Sequence, residues 1–317
     1  MNPEHLGQGW HSAGTVGVFG AVSGAARGLK LNVDQTVHAL GIAGTQAAGL
    51  MAAQYGAMVK RMHAGRTAQS GLYAALLAAN GFTGIVNVFE SEYGGFCTTF
   101  SRSTDRFRME ELTSGLGSRW ETMRVAVKFY SCVRSNHTTL EALRELRKQR
   151  DFNADEVEKV VVHLSQISFD HCGWEYRPEG VTAAQLNVKY CVATMLLERD
   201  LFVDQISEDK IADPARLALI AKVETRHDPA ITAKGGKYRH LVRVEVHLKD
   251  GTKLERAQET ARGMVEHSLV DRDIVSKFES LVKHVLPQGQ IQQLRDAVLG
   301  LEHLDDAAHL ARLLAPQ

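Results

Sequence analysis

Residues Gly9–Leu29 read GWHSAGTVGVFGAVSGAARGL, a stretch in which Gly, Ala and Ser outnumber everything else. Side chains this small let one helix backbone lie close against another, so the stretch predicts a tightly packed helix. Working outward, Asn32 with Gln35 three positions on predicts a capping box opening a second helix. Val33, Val37, Leu40 and Gly44 then recur at helical spacing. A further helix is predicted from about Arg66 to Asn80, with Gly81 suited to the left-handed position just beyond its end. Residues 12–84 therefore read as helices. Gly14, Gly17 and Gly20 do not make a dinucleotide loop, because the spacing is wrong and no strand precedes them.

The pattern changes after about Trp120. Arg124–Phe129 alternates and Val157–Leu164 is β-branched, so both predict strands. The clearest strand is Leu241–Leu248, with Val242, Val244, Val246 and Leu248 on one face and Arg243, Glu245 and His247 on the other. Asp250-Gly251 predicts a hairpin turn into Lys253–Ala257. Helices are expected at 137–150 and 182–199, the second opened by Thr182 and Gln185. From Gly263 the chain turns helical again, with Ile274, Phe278, Leu281 and Val285 as an apolar stripe and Asp305 capping a last helix that ends at Leu314. The fold class is mostly α with an α+β part: an all-helical domain (1–120, resumed at 263–317) interrupted by an α+β part (121–262). The closing helices are expected to lie back on the first layer.

Composition narrows the function classes. The chain has 317 residues, 44% hydrophobic and 23% charged, with a formal net charge of zero, as for a globular protein with a real core. Zero net charge argues against nucleic acid, whose binders concentrate positive charge. The four cysteines Cys97, Cys132, Cys172 and Cys191 share no Cys-x-x-Cys spacing, which suits reduced thiols and a cytoplasmic location rather than zinc or disulfides. No stretch is long and apolar enough for a membrane span, and Met1–Gly9 lacks a signal-peptide pattern.

Charge is nevertheless uneven. Between Asp34 and Glu90 there is not one acidic residue, while Lys60-Arg61-Met62-His63-Ala64-Gly65-Arg66 is cationic. Cations with no local counter-charge beside the expected helix start at Arg66 predict a seat for a small anion such as a carboxylate.

These segments also carry a resemblance. The runs GWHSAGTVGVFGAVSGAARGL, HALGIAGTQAAGLM and MVKRMHAGRTAQSGLYAALLAANGFTG, with Lys128-Phe129-Tyr130-Ser131-Cys132, His137, the helix carrying Tyr190, and Lys277-Phe278, resemble the MmgE/PrpD family. That family includes 2-methylcitrate dehydratases, cis-aconitate decarboxylases and iminodisuccinate epimerases. The resemblance implies a helical domain with an α+β lid and an active site in the crevice between them. It implies His11, Lys60, Lys128 and Tyr190 as catalytic residues, with Lys60, His63, Arg66 and Lys128 binding substrate. It implies no cofactor and no metal, a small di- or tricarboxylate as substrate, and a homodimer. Two departures stand out. Ser131 replaces the proline of the commoner Lys-x-Tyr-Pro, and the family's further N-terminal helical segment, with an Asp-rich motif and a histidine, is expected to be missing.

Each residue type suits chemistry beside a carboxylate. Lysines clamp carboxylates, and His11 titrates near neutrality. Tyr190, with Leu186, Ala193 and Leu197 at helical spacing, also fits a core aromatic. Cys132 with His137 has no geometry that makes a nucleophile, and His163 with His171-Cys172 is weak evidence for a metal site. Two functions remain open: a cofactor-independent lyase or isomerase, first of the 2-methylcitrate dehydratase type with decarboxylation or epimerisation as alternatives, and a truncated or split member that binds carboxylates without turnover unless a separate chain supplies the missing helices.

Overall fold

The computed structural model describes residues 4–264, 269–306 and 308–315. The first region is built on three helices, Gly17–Gly28, Val33–Gly44 and Val59–Ala79, which pack on one another around Val18, Val22, Ala39, Ile42, Ala43, Ala74, Ala75 and Ala78. The Asn32 box forms in both directions: Gln35 N donates to Asn32 Oδ1 at 2.9 Å, and Asn32 N donates to Gln35 Oε1 at 3.1 Å. At the end of the long helix Gly81 takes φ +86°, and Phe82 N and Gly81 N reach the carbonyls of Leu77 and Ala78, both at 3.0 Å, closing a Schellman motif. The buried face of the second helix centres on Ala39, Ile42 and Ala43, whereas Val33 is exposed. A neighbouring aromatic cluster joins Phe19, Phe89, Phe96 and Phe100.

The α+β region holds one four-stranded sheet, β1 (Val157–Leu164), β2 (Val223–His227), β3 (Val242–Leu248) and β4 (Lys253–Gln258), in the order β2-β1-β3-β4. β1 and β2 are parallel, and the other pairs are antiparallel. Val242, Val244, Val246 and Leu248 are buried as their alternation requires. The opposite face carries an ionic network, with Arg243 and Lys253 on Glu245 and His163 Nε2 2.9 Å from Glu245 Oε1. Helices Arg134–Gln149 and Val188–Glu198 cover the valine face and complete a core with Phe152, Tyr130 and Tyr190.

Several expectations are corrected. Residues 124–129 are not a strand: Glu121–Arg124 is a 3₁₀ turn, and the extended chain beyond it pairs with no strand, its Val127 N donating instead to Gly263 O at 2.7 Å. Alternation without a neighbouring strand edge does not make a sheet. β2 was not foreseen, because VETRH carries a single aliphatic residue. The 182–199 helix is two helices, Val181–Leu186 and Val188–Glu198. Gly180 rather than Thr182 stands at the first cap, and the Asn187 side chain caps the second by accepting from Tyr190 N. The long helix begins at Val59, so Arg66 lies within it and not at its start.

The closing helices Asp271–Val282, Gln288–Leu299 and Ala308–Leu314 form their own cluster around Leu286, Ile291, Leu294 and Leu313. Among the described residues their polar bonds to other regions run to the α+β part, with Lys277 Nζ on the Lys128 carbonyl at 2.6 Å and Lys283 on Asp204. Asp306, not Asp305, accepts from Ala308 N at the start of the last helix. Among the described residues no helix is long and apolar enough to cross a membrane.

Candidate active site

A cavity of about 540 Å³ lies where the helical region, the α+β region and the first closing helix meet. Its floor is set by backbone proximity. His11 N donates to Gly49 O at 3.0 Å and Met51 N to Gly9 O at 2.8 Å, around a Trp10–Leu50 bridge. Gly14 makes that approach possible, since a Cβ there would stand 2.2 Å from the Ala48 carbonyl oxygen. His11 is thereby held beside the long helix, whose first turn carries Lys60 and whose buried His63 places Nδ1 2.8 Å from His11 Nδ1.

The opposite wall comes from the segment Lys128–Val133 and from His171 on the helix Gln166–Cys172. Ser131 N donates to Leu201 O at 3.1 Å, a bond that the proline of the commoner motif has no N–H to make. Tyr130 is buried, with its hydroxyl on Glu141 and on the Arg262 guanidinium that also pairs with Glu141. Lys277 and Leu281 of the closing helix complete the lining.

The electrostatics are one-sided. Lys60, Arg61, Lys128, Lys277, His11 and His171 line the cavity, and among the described residues its lining contains no Asp or Glu. Lys60 and Lys128 have no carboxylate partner among the described residues. Burial first, and then the neighbouring Lys128, lower Lys60 to about 8. Burial, with Lys60, His63 and His171 nearby, lowers His11 to about 4. Each shift records surroundings that disfavour added positive charge, and an anion beside these groups would offset that.

The structure therefore brings His11, Lys60 and Lys128 onto one cavity. It does not bring Tyr190 or Arg66 there. Tyr190 is fully buried, its hydroxyl donates to the Gln205 carbonyl at 3.0 Å, and Arg216 lies over its ring. Arg66 is exposed and bonded to Gln69. His63 supports His11 from below instead of lining the cavity. Cys132 does line it, but burial holds its thiol far above the ordinary range, which disfavours a thiolate. His163 is committed to the sheet-face network, apart from His171. His171, Lys277 and Arg61 were missed as site residues. Arg61 is marked only as part of the cationic run and Lys277 only as part of the Lys277-Phe278 pair, while nothing local marks His171, which reaches the cavity through the tertiary fold.

Comparison with known proteins identifies the family. The MmgE/PrpD N-terminal domain model matches residues 1–108 and the MmgE/PrpD C-terminal domain model matches residues 130–303. The chain belongs to the MmgE/PrpD family. It is 34% identical to the cis-aconitate decarboxylase-like protein oryM of Aspergillus oryzae over 98% of this chain and 66% of that protein. It is 35% identical to a cis-aconitate decarboxylase of Aspergillus terreus, over 98% of this chain and 65% of that one. The human cis-aconitate decarboxylase is 26% identical over 96% of this chain and 63% of its own length. The chain thus spans about two thirds of the length of these curated relatives.

Proposed function

We propose that this chain binds a small tricarboxylate in the cation-lined cavity and serves as a lyase acting on it, with cis-aconitate-type decarboxylation as the reaction. The observation that carries this reading is the cavity lining, with cations from both the helical and the α+β regions and, among the described residues, no acidic residue. The named relatives favour decarboxylation over the 2-methylcitrate dehydration that the resemblance put first.

The chemistry follows from the substrate class. Loss of carbon dioxide from an allylic carboxylate sends its electron pair through the double bond onto the carbon beside a second carboxylate, and that carbon then takes a proton. Lys60 and Lys128 hold the retained carboxylates and spread the charge that develops on them. Lys60, at about 8, is an ammonium at neutral pH and is matched to giving up a proton there. His11, at about 4, is neutral at that pH and acts as a hydrogen-bonding group, oriented through Nδ1 by His63.

The test is turnover followed by mass spectrometry on cis-aconitate, 2-methylcitrate, citrate and iminodisuccinate. The expected result is decarboxylation of cis-aconitate that Lys60→Met abolishes. Binding of none of the four, or turnover that survives Lys60→Met, would overturn the reading.

A further inference from the structure

His171 is the cavity group that the proposed chemistry leaves without a task. It sits on the short helix Gln166–Cys172, on the wall facing His11 and Lys60. It also lines a second cavity of about 270 Å³, whose wall shares Leu6 and Met51 with the first. Its Nδ1 lies 3.3 Å from Oγ of Ser135, a buried residue in the first turn of Arg134–Gln149. Its Nε2 has no protein partner among the described residues.

We infer that His171 is a substrate-binding residue that donates Nε2–H to a carboxylate on the α+β wall, with Ser135 as the positioning residue that donates to Nδ1 and fixes this tautomer. The inference rests on the carboxylate reading of the cavity and adds to it a third, uncharged point of attachment. The tautomer follows from the pair. An imidazole that accepts at Nδ1 carries its proton on Nε2, the nitrogen not committed to Ser135. Burial, together with Lys60, Arg239 and Lys128, lowers this imidazole to about 4, so at neutral pH it donates one hydrogen bond without adding a cation.

A neutral donor has a different use from a lysine. Two ammonium groups attract any anion, while a fixed N–H asks for an acceptor oxygen at one place. His171 accordingly separates tricarboxylates, which have a group to spare for it, from dicarboxylates, which engage Lys60 and Lys128 alone.

The test is calorimetric binding of cis-aconitate and of succinate to the wild type and to His171→Leu, His171→Gln and Ser135→Ala. Loss of one hydrogen bond to a charged group predicts that His171→Leu weakens cis-aconitate binding by on the order of tenfold or more. Succinate binding should stay within about twofold, a factor small beside that hydrogen bond. His171→Gln, whose amide nitrogen reaches the Nε2 position, should recover most of the loss, and Ser135→Ala should fall between. Equal weakening of both ligands, or no weakening, overturns the inference while leaving the carboxylate reading intact. A wild type that binds neither ligand overturns both. Should His171→Leu fail to fold, the wild-type imidazole ¹⁵N resonances decide: cis-aconitate must shift His171 Nε2 and leave His163 unmoved, and an unmoved His171 sinks the assignment.

Discussion

The two walls of the cavity hold their functional groups by opposite means. In the helical region the core is mostly Ala and Val between closely crossing helices, and His11 is fixed by its backbone bond to Gly49 and by the tight fit of Gly14. In the α+β region the core is made of large side chains, Phe152, Tyr130, Tyr190 and several leucines, behind a valine-covered sheet. Lys128 and His171 are held there by what packs and bonds around them. At Gly14 the first wall has no room for an added atom, whereas the second depends on large buried side chains.

The largest effect should come from the second wall. Leu143 is fully buried between helix and sheet, and Leu143→Ala should lower the unfolding free energy by about 2–5 kcal/mol, as read by urea titration. A value near zero would show that this core collapses as readily as the alanine-rich one. Acid should strike both walls, the α+β wall more strongly, since His11 on the first is lowered to about 4 as well. Burial, assisted by nearby Lys128 and Arg239, holds His137 and His171 at about 4 and His240 at about 3. The unfolded chain, with histidines near 6.5, binds more protons between those values, so stability is present above pH 6.5 and is lost as pH falls toward 4. Hydrogen exchange at pH 5 should show residues 134–149 losing protection before residues 59–79, and the reverse order would break the comparison.

On the first wall, Gly14→Ala should cost about 1–3 kcal/mol, because the new methyl meets the Ala48 carbonyl. It should also raise KM by displacing His11. Unchanged stability and KM would mean that the close approach does not position the histidine. The smallest effect expected is Tyr190→Phe. It removes a hydroxyl bonded to the Gln205 carbonyl and should cost about 1 kcal/mol with kcat retained. A fall in kcat without loss of stability would instead return Tyr190 to the reacting centre.

Much of this was legible because it is local. The Asn32–Gln35 box, the Gly81 helix end and the Val242–Leu248 alternation each depend on neighbours a few residues away, and each forms. The cationic, acid-free run around Lys60 was readable for the same reason. What the sequence hid depends on distant partners. Arg124–Phe129 alternates but meets no strand edge, while VETRH scarcely alternates and is recruited by β1. Asn187 interrupts an otherwise continuous helical pattern by capping the next helix with its side chain. Tyr190 fitted both core and site, and only its bond to Gln205 places it in the core. His171 shows the same limit from the other side, since its partner Ser135 lies on another helix.

The central claim is that the two walls act together on one anion. Calorimetric titration of the wild type, Lys60→Met and Lys128→Met with cis-aconitate tests it most directly. The account predicts saturable binding by the wild type, weakened on the order of a hundredfold by either substitution, since each removes the cation of one wall. Binding that survives both substitutions, or a wild type that does not bind, would contradict it.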